Sequence, residues 1–287
     1  MDVLQLIIFG IVLGSIITLG AIGVSLVFGI LRFAHFAHGD IMSLGAYFAF
    51  VGVATLDLPI YLVAPVALAL GGLAAIGIDR LTYGRLRRHG SSPIIMLISS
   101  VGIALMLRSL IQVIWGPTNR VYEQGVTAAV RGSGLTLKPE QLSIVLGAVV
   151  LMLLLHVFLH STKIGKAMRA MSDNMDLARV TGINTEAVIN WMWFIAGGLA
   201  AAAGIFLGLD TRLHPLMGWQ MLLPVFAAAI LGGVGNIYGA ILGGMVIGLA
   251  QELSTLVIEP AYKPAVAFAI MVLMLVFRPR GIMGGNL

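Results

Sequence analysis

The 287 residues include no cysteine. A disulfide framework, a thiolate metal site and a cysteine nucleophile are therefore excluded. Charge is scarce as well. Asp, Glu, Lys and Arg make up 10% of the chain, against about 25% in a soluble globular domain. The sequence has no GxxxxGK[ST] loop to cradle phosphates, no HExxH helix and no serine motif with a plausible base beside it. It also lacks a chain of buried carboxylates of the kind that relays protons through a membrane. Its start, "MDVLQLIIFGIVLGSIITLGAIGVSLVFGIL", has no basic residue, and its apolar run is too long for a signal peptide. These absences argue against an enzyme and leave a membrane protein that works through its spans.

What the sequence does have is apolar length. Hydrophobic residues make up 59% of it and the mean hydropathy is +1.03. Apolar runs fall at about 3–31, 40–56, 60–78, 94–115, 142–160, 191–209, 221–252 and 264–277. A spanning helix needs about 20 apolar residues, and a transmembrane barrel would alternate in short segments instead. The expected class is an all-α, polytopic transmembrane bundle with about eight or nine crossings and discontinuous helices. The first run, roughly 43 Å as a helix, is tilted or protrudes. The run at 221–252 carries "GGVGNIYG" at its middle, and glycine weakens a helix. It reads as two short half-spans meeting at 232–239. One long tilted helix is the alternative.

The formal charge of +5 speaks to orientation rather than to nucleic acid. Arg32, the four arginines of 80–88, four basic residues of 161–190, and Arg278 and Arg280 total eleven if they share one side. Arg120, Arg131, Lys138, Arg212 and Lys263 make five on the other. The positive-inside rule then sets an external N-terminus, an internal C-terminus and nine crossings. The external stretch 116–141 reads as a short hairpin or an irregular loop.

The loop "STKIGKAMRAMSDNMDLARVTGINTEAVIN" (161–190) reads as structured. Lys163, Lys166 and Arg169 share one helical face. Asp173 is the expected N-cap of a short helix through "MDLARV", with Asp176 at its third position and Gly182 just past its end. Asn184 caps the next helix, with Glu186 in its first turn. A plain solvated basic loop is the other reading. Within spans, small-residue pairs such as Gly10/Gly14 and Gly244/Gly248 point to a tight bundle. Arg108 and Glu252 are expected to snorkel to the outer interface, or else to pair with each other. "RFAHFAHGD" (32–40) is polar between two apolar runs. It is either a turn between spans with Asp40 as N-cap of the next, or a broken segment dipping into the bundle at Gly39. His35, His38 and Asp40 without further ligands do not make a metal site.

"FAHGDIMSLGAY" (36–47), "GKAMRAMSDNMDLARVTGINTEAVI" (165–189), "FIAGGLAAAAGIFLG" (194–208), "AAAILGGVGNIYGAILGG" (227–244) and "FRPRGIMG" (277–284) resemble permeases of branched-chain amino-acid ABC importers, of the H type. The likeness runs in order over nearly the whole chain. It implies a single permease domain (1–287), a second permease of the M type, two cytoplasmic ATPases and a solute receptor on the far side of the membrane. It also implies leucine, isoleucine or valine as cargo, no cofactor, a bacterial inner-membrane location and a coupling role for 161–190. Gly165, Arg169, Asp173, Asp176, Arg179 and Gly182 are the candidate coupling residues. His38, Gly39, Asp40, Gly233, Gly235 and Asn236 are candidates to line the path. The family usually has Asn before "FAHG", where this chain has His35, so any role of that Asn is not carried over. Related permeases carry urea, amides or simple sugars, and selectivity rests largely with the receptor. The rival class is an ion-coupled transporter acting alone.

Overall fold

The computed structural model describes residues 3–122, 130–132 and 135–284. Among them, eight helical stretches are long and apolar enough to cross a membrane, and a shorter apolar helix, Met217–Gly232, joins them. In chain order the elements are α1 (Val3–Leu31), α2 (His38–Leu56), α3 (Ile60–Ile78), α4 (Gly84–Arg88) and α5 (Pro93–Trp115). A small hairpin follows, β1 (Val130–Gly132) and β2 (Leu135–Leu137). Then come α6 (Pro139–Ser161), α7 (Lys163–Asp173), α8 (Met175–Val180), α9 (Thr185–Asp210), α10 (Met217–Gly232), α11 (Ile237–Leu253) and α12 (Lys263–Phe277). The polytopic helical bundle expected from the apolar runs is therefore present. The hairpin expected in 116–141 is formed at 130–137, while 123–129 and 133–134 lie outside the described residues.

The bundle has two ends. α1 and α11 make its most extensive helix pair and lie antiparallel, with Gly10 against Leu249 and Gly14 against Met245. The small-residue pairs thus act as contact surfaces between backbones. One end, called here the basic end, gathers Arg32, the 80–88 arginines, the 161–184 loop, the α10–α11 turn and the tail after α12. The opposite end holds Arg120, Lys138, Arg212 and Lys263. There Gln5 of α1 exchanges two hydrogen bonds with the Thr136 backbone, at 3.0 and 2.9 Å.

α1 stops at Leu31. Arg32 takes a left-handed backbone (φ 55°) and donates to the Ser172 carbonyl at 2.6 Å. Residues 32–37 then turn back into the bundle. The Phe36 N–H donates to Ser100 Oγ at 3.0 Å, and its ring meets that of Phe226 in mid-α10 at 5.3 Å. Ser100 lies seven residues into α5, so α2 begins roughly 10 Å inside the bundle. Irregular backbone at that depth survives only where protein or water covers it. Phe33, His35 and Ala37 are buried, and His35 packs edge-on against Trp193 and Tyr83 at 4.9 and 5.4 Å. Of the two sequence readings, the segment dipping into the bundle is the one adopted. Asp40 is not the N-cap: Ala37 holds that position, and Asp40 sits in the first turn of α2.

A second return segment, 211–216, carries the chain from α9 to α10. The first turns of α2 and α10 lie side by side. The Gly218 N–H donates to Ser43 Oγ at 3.0 Å. A Cβ on Gly39 would strike the Gly218 carbonyl oxygen, and one on Gly218 would strike that of Gly39. Only two glycines allow this approach.

The run 221–252 is broken, as its glycines suggested. The break falls at the basic end, not at mid-membrane. Gly233 (φ 107°) and Gly235 (φ 88°) reverse the chain, a conformation that L side chains rarely adopt. Asn236 caps α11 through its Oδ1, which accepts the Gly239 N–H at 3.0 Å, while its Nδ2 donates to the Met283 carbonyl at 2.8 Å. The tail supplies the rest: the N–H groups of Ile282 and Met283 donate to the Leu231 and Gly232 carbonyls at 2.8 and 3.0 Å. Those are terminal carbonyls that α10 cannot satisfy itself.

Because the facing atoms at Gly39 and Gly218 are backbone, they cannot step aside. Gly218→Leu is expected to abolish the folded protein in detergent, or to lower its thermal midpoint by more than 5 °C, in line with the cost of overpacking, about 1–3 kcal/mol or more. Gly77→Leu, where nothing lies within 4 Å of a built Cβ, is the control and leaves the midpoint unchanged.

Candidate functional site

Two regions carry polar chemistry that the fold alone does not require. The first is at membrane depth. Asp40 is fully buried in the first turn of α2 and accepts two hydrogen bonds from Arg108 of α5, from Nε and Nη2, both at 3.1 Å. The Arg108 guanidinium lies over the Trp219 ring of α10, 4.5 Å from its centroid. This is a bidentate ion pair with an aromatic platform, the geometry that suits arginine rather than lysine. Arg108 neither snorkels nor pairs with Glu252. Glu252 accepts from Lys263 Nζ at 2.6 Å at the opposite end.

The pair reaches the protein surface. The Arg108 side chain is 14% exposed, whereas that of Asp40 is 0%. Gln112, one turn further along α5, is exposed, as are Trp219 and Gln220 at the start of α10. Further along α10, Leu223, Phe226 and Ile230 are partly exposed. By helical spacing these residues form a face, called here the wall. Gln112 follows Arg108 by one turn of α5, and Leu223, Phe226 and Ile230 follow Trp219 by four, seven and eleven residues on α10. Its polar part therefore lies toward the opposite end and its apolar part toward the basic end. An exposed guanidinium at this depth is costly against lipid and marks a protein-covered or water-filled face; Gln112, in the last turn of α5, lies nearer the membrane surface.

The candidates from "FAHGD" separate here. Asp40 reaches the wall, through Arg108. His38 points the other way, its ring against Gly23 of α1, and is 1% exposed. Gly39 serves the helix crossing. Gly233, Gly235 and Asn236 lie at the basic end and serve the chain reversal. Sequence reasoning missed Trp219, Gln112 and Gln220 as wall residues. The signal available was three polar or aromatic side chains in runs otherwise suited to lipid. His35 and His38 pack ring edge to ring at 5.9 Å, and the described residues hold no group of three or more His, Cys, Asp or Glu able to take a metal. On the return segment before α10, burial lowers the His214 pKa, which favours the neutral imidazole.

The second region is the basic end. α7 buries Gly165, Met168 and Met171 against the bundle and exposes Lys163, Lys166 and Arg169. This is the face division expected from the spacing. Gly165 sits directly on the Phe158 and Leu159 backbone, and its N–H donates to Thr162 Oγ1 at 2.9 Å. The N-cap of α8 is Asn174, not Asp173: its Oδ1 accepts the Leu177 N–H at 2.9 Å. Asp173 is the last residue of α7, because the helix keeps Met168 and Met171 on the bundle for one residue more than the capping pattern assumed. Asp176 lies in the first turn of α8 and Arg179 in its last, both favourable to the helix dipole. Gly182 (φ 87°) closes α8: its N–H donates to the Arg179 carbonyl and that of Ile183 to the Ala178 carbonyl, both at 3.2 Å. This is a Schellman ending. Asn184 and Glu186 begin α9 as expected.

α8 is capped at both ends yet buries only Ala178. Leu177 is 60% exposed and Val180 80%. Beside α7, a cavity of about 580 Å³ lies between Arg32, Arg169, Asp173, Asn236 and Arg280.

The family described as branched-chain amino acid transport system / permease component matches residues 6–275. The chain belongs to this family of permeases. It is 31% identical to the high-affinity branched-chain amino acid transport permease BraD of Pseudomonas aeruginosa, over 98% of this chain and 95% of that one. It is 32% identical to LivH of Escherichia coli K12, a high-affinity branched-chain amino acid transport permease, over 96% of this chain and 93% of that one. A solved structure, PsaBC from Streptococcus pneumoniae in complex with Fab, shares the fold. Its TM-score is 0.52 at 17% identity, covering 96% of this chain and 92% of that one. The permease is a multi-pass membrane protein.

Asn174→Ala removes the cap of α8, worth about 1 kcal/mol. Amide exchange in 174–181 is expected to accelerate several-fold, while exchange in α10 and α11 stays unchanged. Equal exchange in both proteins would show that α8 is held by other contacts.

Proposed function

We propose that this permease is one of two transmembrane subunits of an ATP-driven importer of branched-chain amino acids in a bacterial inner membrane. The observation that carries the reading is the wall. An exposed polar face at membrane depth, open on one side of a single chain, needs a second chain facing it to make a closed path. That role falls to an M-type permease. The whole chain acts as one transmembrane domain.

The basic end faces the cytoplasm, as its eleven Lys and Arg residues favour. ATP is hydrolysed by two partner subunits, since this sequence has no loop to cradle phosphates. α8 is the element on which an ATPase docks. It is short and held at both ends, and it offers Leu177 and Val180 to a partner rather than to its own core. α7 then passes the movement to the bundle, through Gly165 to α6 and through Ser172 to Arg32. At the opposite end, a pocket of about 1020 Å³ between 50–59 and 119–122, with Arg120 and Arg212 in its wall, is where a solute receptor releases its cargo.

Two measurements test this. In liposomes holding the assembled importer and its receptor, Leu177→Ser with Val180→Ser is expected to cut ATP-driven leucine uptake at least tenfold without shifting the thermal midpoint, because both side chains are exposed. Undiminished uptake would remove α8 as the docking element. A reporter fused after residue 287 is expected to be active only on the cytoplasmic side. Activity on the outer side would overturn the orientation.

A further inference from the structure

We infer that Arg108 is a contact for the carboxylate of the cargo as it passes the wall. The inference rests on the transport reading above and adds the recognition chemistry.

Three observations lead to it. First, Arg108 is not fully engaged. A guanidinium has five N–H donors. Two go to Asp40, and no other hydrogen bond to Arg108 is made by the described residues. Its side chain is partly exposed on the wall, while Asp40 is sealed behind it. Asp40 is therefore placed to hold the guanidinium at membrane depth without itself meeting cargo.

Second, Trp219 fixes the guanidinium plane from one side at 4.5 Å. A fork held on two sides presents its remaining N–H groups in one direction, which suits a planar carboxylate. Replacing a buried ion pair by apolar groups is often neutral or stabilising, so stability alone does not call for this pair at membrane depth.

Third, the surroundings match one class of molecule. Gln112 and Gln220 offer amide oxygens that accept from an ammonium group. Leu223 and Phe226 offer an apolar strip toward the basic end. A carboxylate, an ammonium and a branched apolar side chain are together a zwitterionic aliphatic amino acid. The Arg120 and Arg212 pocket at the outer mouth is compatible with the same anion-bearing group.

The contact is a transient one. Asp40 keeps part of the guanidinium charge neutralised, so the carboxylate is held weakly enough to leave. Without Asp40, a bare cation at this depth would trap the anion and destabilise the bundle.

The test uses the assembled importer in liposomes with its receptor, supplied with radiolabelled leucine. Asp40→Asn with Arg108→Gln replaces the ion pair by a neutral hydrogen-bonded pair of similar volume. If Arg108 meets the carboxylate, this double variant assembles with an unchanged thermal midpoint but takes up leucine at least tenfold more slowly. If the pair only holds the fold, the double variant transports as the wild type does, and the inference fails. Arg108→Gln alone separates the two costs: it loses uptake and also lowers the midpoint, because it strands a buried carboxylate. If the double variant itself loses its midpoint, Arg108→Lys decides. It keeps the charge and the pair but not the fork, so slower uptake at an unchanged midpoint supports the inference and wild-type uptake overturns it. Should the wild-type importer fail to take up leucine, the substrate reading is overturned and the inference goes with it.

Discussion

The close crossing of α2 and α10 at Gly39 and Gly218 is the constraint on which the rest of this molecule depends. Neither helix starts at a membrane surface. Each begins after a return segment, at a depth where unpaired backbone in lipid would cost several kcal/mol per group. The two first turns cover one another, and the Ser43 hydroxyl takes up the Gly218 N–H. The same crossing sets Asp40 and Trp219 on either side of Arg108. Any side chain at either glycine would drive the helices apart and separate the carboxylate from the aromatic platform. Fold and wall are thus consequences of one contact.

The basic end is built from terminal groups that satisfy each other. The tail after α12 bonds the last carbonyls of α10, Asn236 ties the α10–α11 turn to that tail, and Arg32 ties the end of α1 to the end of α7. A continuous set of contacts therefore runs from α8 through α7 to Arg32 and into the 32–37 segment that precedes Asp40. α8 stands out because its ends are capped while its apolar side chains are left exposed.

Much of this was legible in the sequence because it depends on local pattern. The apolar runs mark the spans, since bilayer thickness sets their length. The glycines of "GGVGNIYG" mark the reversal, because only they take φ of 107° and 88° freely. Gly182 and Asn184 mark helix ends through their own side-chain and backbone preferences. The misread features depend on tertiary partners. Arg108 and Asp40 are 68 residues apart, and nothing in "LMLRSL" says that its neighbour is the first turn of α2. Asp173 and Asn174 are both good caps, and the choice between them is made by how far Met168 and Met171 carry α7 along the bundle. Gly39 reads as a helix breaker in isolation. Its role as a contact is visible only with Gly218 beside it.

On the proposed reading, the face holding Arg108, Gln112 and Gln220 is a water-accessible path and not a lipid-facing surface. The chain has no cysteine, so a single introduced cysteine is a unique reporter within this subunit. The direct measurement is labelling of Gln112→Cys and Gln220→Cys in the assembled importer with a membrane-impermeant thiol reagent, beside Leu153→Cys on the exposed face of α6. Both wall positions are expected to label, at rates that change when ATP and loaded receptor are added, while Leu153→Cys stays unlabelled throughout. Wall cysteines as unreactive as Leu153→Cys in every condition would contradict the account.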